Sequence, residues 1–137
     1  MAKKSKTRAT APGAEKIFLI KAENFLKAAQ EAIEKRNWDP AASAGIHAII
    51  NSCDAMSAKF LSYRHAGSDH FGVLDVVAQL PLADKDELKK IKRRVARSLD
   101  SKNDVEYDDY LVREGPAKQI VSDAEAILSW ALKHIKP

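Results

Sequence analysis

The run Tyr63-Arg64-His65-Ala66-Gly67-Ser68-Asp69-His70 separates an arginine from a histidine by five residues. A guanidinium and a neutral imidazole near one phosphodiester suit RNA cleavage without a metal. Arg64 would hold the phosphate and steady its developing charge, while His70 takes or gives a proton near neutral pH. The same pair also has a structural reading. Arg64 ends a helix favourably at its C-terminus, and His70 packs near a helix start.

His47, Asn51 and Asp54 follow one another at intervals of four and three, so they share one face of a helix. Such a half-polar face can line a cleft with Arg64 or His70. Alternatively, His47 is a core histidine bonded to Asp54 or to backbone. His47, Asp54 and His70 lack any recognised metal-ligand spacing, and neither a metal nor a cofactor is expected. Lys89, Lys90, Lys92, Arg93, Arg94 and Arg97 crowd one segment, as a solvated face or as a track for phosphates. Tyr63, Tyr107 and Tyr110 are the residues on which unpaired bases could stack. Cys53, the single cysteine, lies on an apolar stripe and reads as a core residue.

Helices must position these groups. Phe18, Phe25, Ala28, Ala29 and Ala32 recur on one face after Ile17. Asp39-Pro40 then signals a second helix with a carboxylate at its cap, running to about Tyr63 and carrying Ile46, Ile49, Ile50, Cys53, Met56 and Phe60. Ser68 can cap a shorter helix with Phe71, Leu74, Val77 and Leu80. Asp84 and Glu87 form a capping box before Leu88, Ile91, Val95 and Leu99. The stretch from Lys102 to Gly115 reads as irregular, and Pro116 opens a last helix with Ile120, Val121, Ala124, Ile127, Leu128, Ala131 and Ile135. No segment alternates with period two over a strand's length. The expected architecture is an all-α, up-and-down bundle of four to five helices.

The 137 residues suffice for one domain with a core. At 45% hydrophobic and 31% charged, the chain has the balance of an ordinary globule. The net charge of +4 sits in residues 1–16, where Lys3, Lys4, Lys6, Arg8 and Lys16 face Glu15 alone. The remainder balances, so the basic character belongs to the arm and not to the domain. Residues 1–14 are therefore expected as a disordered basic arm, and 15–137 as a single helical domain. No apolar run approaches the roughly 20 residues of a membrane span, and no signal peptide is legible, so a cytoplasmic location away from membranes is expected. The last helix carries apolar residues over a wide arc, including Ile127, Trp130 and Leu132, which suggests a homodimer.

The order of several motifs resembles a known family. The run from Ser43 to Met56, with its His47-Ala48 and Asp54-Ala55 pairs, is followed by Arg64 and by Gly67-Ser68-Asp69-His70. The later stretch from Leu99 to Asp108 carries Lys102, Glu106 and Tyr107. Together they resemble HEPN-domain proteins, above all a small bacterial subgroup, over residues 17–135. The resemblance implies a homodimeric helical bundle, often a metal-independent endoribonuclease or toxin acting on RNA. Other members are non-catalytic, binding a nucleotide or serving a nucleotidyltransferase or antitoxin partner. The family's catalytic arginine and histidine usually lie late, near the start of a C-terminal helix. This chain has Lys102, Asn103, Glu106 and Tyr107 there, and no histidine. Arg64 and His70 are then the expected catalytic pair, with His47, Asn51, Asp54, Asp69, Lys102 and Tyr107 as binding residues.

Overall fold

A computed structural model describes residues 6–67, 71–106 and 109–135, apart from the side chains of Phe71 and Asn103. Along the chain come β1 (Thr7–Ala9), α1 (Ala14–Glu34), α2 (Trp38–Leu61) and β2 (Tyr63–His65). They are followed by α3 (Phe71–Ala78), α4 (Lys85–Asp100), α5 (Lys102–Glu106) and α6 (Glu114–Ile135). The architecture is all-α, with one short antiparallel ribbon of β1 and β2.

The central element is α2, which touches α1, α3, α4, α5, α6 and β2. Its sequence explains why. Ala41, Ala42, Gly45 and Ala48 are buried and small, so neighbouring backbones approach closely, while Ile46, Ile49, Cys53 and Met56 fill the interior. From α6, Ile120, Val121, Ala124, Ile127 and Ala131 close the core, and Leu88, Ile91, Val95 and Leu99 of α4 complete it. Between α1 and α2 the chain reverses in three residues. Asn37 N–H reaches Ala32 O (2.8 Å) and Arg36 N–H reaches Ile33 O (3.0 Å), with Arg36 at φ 60°. That double closure ends a helix with a left-handed residue, a place usually given to glycine.

Four expectations change. The second helix starts at Trp38, because the Asp39 carboxylate does not cap it but accepts the Val112 N–H (3.0 Å) from the segment before α6. It also stops at Leu61, where Ser62 turns left-handed (φ 62°) and Tyr63–His65 becomes a strand. Residues 6–13 of the expected arm lie on the domain, since Thr7–Ala9 pair with that strand through backbone alone, which needs no apolar side chain. Finally, Lys102–Glu106 forms a short helix against α2 within the stretch expected to be irregular. Asp84 caps α4 as expected, accepting the Glu87 N–H at 2.9 Å. No helix among the described residues is long and apolar enough to cross a membrane.

Candidate functional site

Three elements meet where α2 ends. Asp54 comes from the last third of α2, Arg64 from the middle of β2, and Lys102 from the first position of α5. With Ile50, Val73 and the loop His65-Ala66-Gly67 they line a cleft of about 170 Å³. The break at Ser62 creates this arrangement: had α2 continued, Arg64 would have projected from the helix instead of folding back across it.

Asp54 is only 7% exposed. Burial pushes its carboxyl up to about 7, against the opposing pull of Arg64 and, more weakly, Lys21 of α1. A carboxyl poised near neutrality can hold or release a proton under physiological conditions. Arg64 is fixed from two sides. Its Nη1 donates to His65 O (3.0 Å), and its guanidinium lies 5.8 Å from the centre of the Phe18 ring. The cleft therefore presents two cationic side chains around one titratable acid.

His47 and Asn51 do not enter this cleft, although they share the helical face of Asp54. The His47 ring is 44% exposed and stacks on Phe25 at 5.0 Å. Its Nδ1 lies 2.9 Å from Ser43 O and 3.9 Å from a carboxylate oxygen of Glu106, which also accepts from Ser43 Oγ at 2.7 Å. His47 is thus backbone-bonded, as one reading held, but it is not a core residue and does not meet Asp54. Asn51 turns its amide back to His47 O (2.8 Å). The short α5 spans both places, with Lys102 at the Asp54 cleft and Glu106 beside His47. His70, Asp69 and Tyr107 lie outside the described residues.

The basic segment of α4 divides. Arg94 and Arg97 both bind Asp123 of α6, at 2.9 and 2.6 Å, and Ser98 Oγ donates to the same carboxylate at 2.9 Å. Asp123 is wholly buried, so these arginines are engaged in holding α4 on α6. Lys89, Lys90 and Arg93 remain exposed. Burial, aided by neighbouring Asp54, raises the Cys53 thiol far above its ordinary range and keeps it an inert core residue.

The contribution of Lys21 escaped sequence reasoning, since it lies more than thirty residues from Asp54 in the chain. Asp123 had a signal: it is a lone carboxylate inside the apolar stripe of the last helix.

The family model for the HEPN domain matches residues 16–135. No curated protein matches the chain.

Proposed function

This chain belongs to the HEPN-domain family, and on that premise we propose that it binds RNA in the Asp54–Arg64–Lys102 cleft and cleaves it without a metal. The single observation that carries the reading is the buried Asp54 carboxyl, raised to about 7, in the same cleft as Arg64 and Lys102. RNA carries its own nucleophile, the 2′-hydroxyl. Attack on the adjacent phosphorus forms a cyclic phosphate and releases the 5′-oxygen. Asp54 accepts the 2′-hydroxyl proton, and Arg64 and Lys102 balance charge building on the phosphoryl oxygens. His70 returns a proton to the leaving oxygen. Asp69 and Tyr107 are assigned substrate binding in this proposal, whereas His47 and Asn51 sit apart from the Asp54–Arg64–Lys102 cleft.

The functional form in this proposal is a homodimer. Ile127 and Trp130 are buried within one chain and cannot supply its interface. Among the described residues, the exposed large apolar side chains are Leu111 and Tyr110 before α6 and, as a group on one helix, Ile17, Ile20 and Phe25 of α1. The interface in this proposal uses the α1 group, where Ile17 and Ile20 are 56% and 55% exposed.

The test is incubation of purified protein, with EDTA, on end-labelled single-stranded RNA. Fragments ending in a cyclic phosphate, lost with Arg64→Ala and with His70→Ala, support the proposal. An intact RNA overturns the cleavage step. The alternative is a non-catalytic module that binds a nucleotide, or that serves a nucleotidyltransferase or antitoxin partner. The missing histidine between Leu99 and Asp108 favours it. Nucleotide or partner binding that depends on Arg64, without cleavage, would establish that role.

A further inference from the structure

The β1–β2 ribbon sets Arg8 directly opposite Arg64. Directly opposed residues of an antiparallel pair send their side chains to the same face, with Cβ atoms about 5 Å apart, and like charges there disfavour pairing. The other two pairs, Thr7 with His65 and Ala9 with Tyr63, bring no acidic residue to offset this. Nor does burial, because all three side chains of β1 are exposed. The ribbon is nevertheless continuous with the cleft wall. Ala66 N–H donates to Lys6 O at 3.0 Å, and a Cβ on Gly67 would lie 3.5 Å from the Lys6 Cβ. Lys6 and Arg8 are thus tethered beside the cleft that contains Arg64.

Two arginines at opposed register positions beside a cationic cleft are the arrangement an anionic chain would bridge. We propose that Arg8 and Arg64 form a clamp on successive phosphates of single-stranded RNA, extending the cleft's binding edge onto β1. The proposal rests on the RNA-binding reading of the cleft. Arg8 holds backbone phosphate and takes no part in proton transfer, so it contributes affinity without base preference. Bound RNA in turn relieves the repulsion between the strands and holds β1 in place.

The clamp is tested by fluorescence anisotropy of a labelled oligouridylate with the full chain, over a series of salt concentrations. Five proteins are compared: the parent, Arg8→Ala, Arg64→Ala, the double variant, and Arg93→Ala of α4 as a control for charge loss alone. Arg8→Ala is expected to weaken binding roughly fivefold and to lower the salt slope by about 0.7, the loss of one phosphate contact to a single strand. The double variant should lose less than the product of the two single effects, because the two residues share a ligand. Arg93→Ala should stay within about twofold of the parent. If Arg64→Ala weakens binding while Arg8→Ala behaves like Arg93→Ala, the clamp is wrong and the cleft reading stands. If the parent binds no RNA, both fall. Competition by polyglutamate as effective as that by unlabelled RNA would overturn the assignment to phosphate, making the ribbon a site for acidic protein segments. Unchanged melting temperatures in Arg8→Ala would separate lost contact from lost fold.

Discussion

Gly45 of α2 faces Ile120 of α6 so closely that a Cβ at Gly45 would lie 2.8 Å from the Ile120 Cγ2. It would also meet Val121 Cγ2 at 3.6 Å and the Ile120 backbone at 3.7 Å. The two helices touch here because one of them has no side chain. Helix propensity alone would favour alanine by about 1 kcal/mol. Overpacking a buried contact costs about 1–3 kcal/mol, and Ile120 is 3% exposed with little freedom to withdraw. Gly45→Ala is therefore expected to destabilise the chain, read as a lower denaturation midpoint at unchanged slope. A gain in stability would show that α2 and α6 are looser than described.

Asp54→Asn should separate stability from activity. The folded state raises this carboxyl from 3.8 to about 7, so it binds a proton more tightly than the unfolded chain does. Its contribution is therefore favourable at low pH and is lost as pH rises between those two values, by up to about 4 kcal/mol. The asparagine variant carries no such penalty. Relative to the parent, it should be little changed near pH 4 and clearly more stable at pH 8, by denaturation at both. Under the proposed mechanism it should also cleave no RNA, while parental activity rises with a group titrating near 7.

Removing the Asp123 carboxylate should be costly for a different reason. Asp123→Ala removes the carboxylate that Arg94 and Arg97 share and leaves Ser98 without its acceptor. Breaking a fully buried pair costs about 3–5 kcal/mol. The two guanidinium groups are 39% and 48% exposed and can turn to water, so about 2–4 kcal/mol is expected here. A thermal melt equal to that of the parent would mean that packing alone holds α4 on α6.

The assembly prediction concerns α1. Light scattering at micromolar concentration should give twice the chain mass of 15.1 kDa. Ile17→Glu and Ile20→Glu should each shift it to the single-chain mass with helicity intact. Trp130→Ala should instead destabilise the protomer, because that ring is 3% exposed inside it.

The helices were legible because their apolar residues recur at three and four, and Leu88, Ile91, Val95 and Leu99 are all buried as that spacing requires. Ile50 shows the limit of periodicity. It sits beside Ile49 on the expected stripe, yet Ile49 is wholly buried while Ile50 is half-buried at the edge of the cleft. A change of one residue turns a helix face by about 100°, and the stripe's width alone does not tell its centre from its rim. Ile49→Ala should accordingly cost about 2–5 kcal/mol, and Ile50→Ala less. The ribbon was illegible for another reason. Three residues pairing through backbone leave no hydrophobic alternation, and their partner lies more than fifty residues along the chain. Within the site, Asp54 and Arg64 were recognisable by residue type. Their enclosure with Lys102 depended on a left-handed Ser62 that nothing in its residue type marks.

The tether of the first residues to Tyr63–His65 has a kinetic meaning. The helical hairpin of α1 and α2 closes through a three-residue turn, so its contacts are local and can form early. The β1–β2 pairing must instead enclose that entire hairpin before its first bond is made, and it is rewarded by backbone bonds alone. It is therefore expected to form late on folding and to be released early by thermal fluctuation. Its amides should exchange with solvent hydrogen well before those of α2 and α6. Release of β1 would then uncover the edge of the Arg64 strand while the bundle beneath it stays closed.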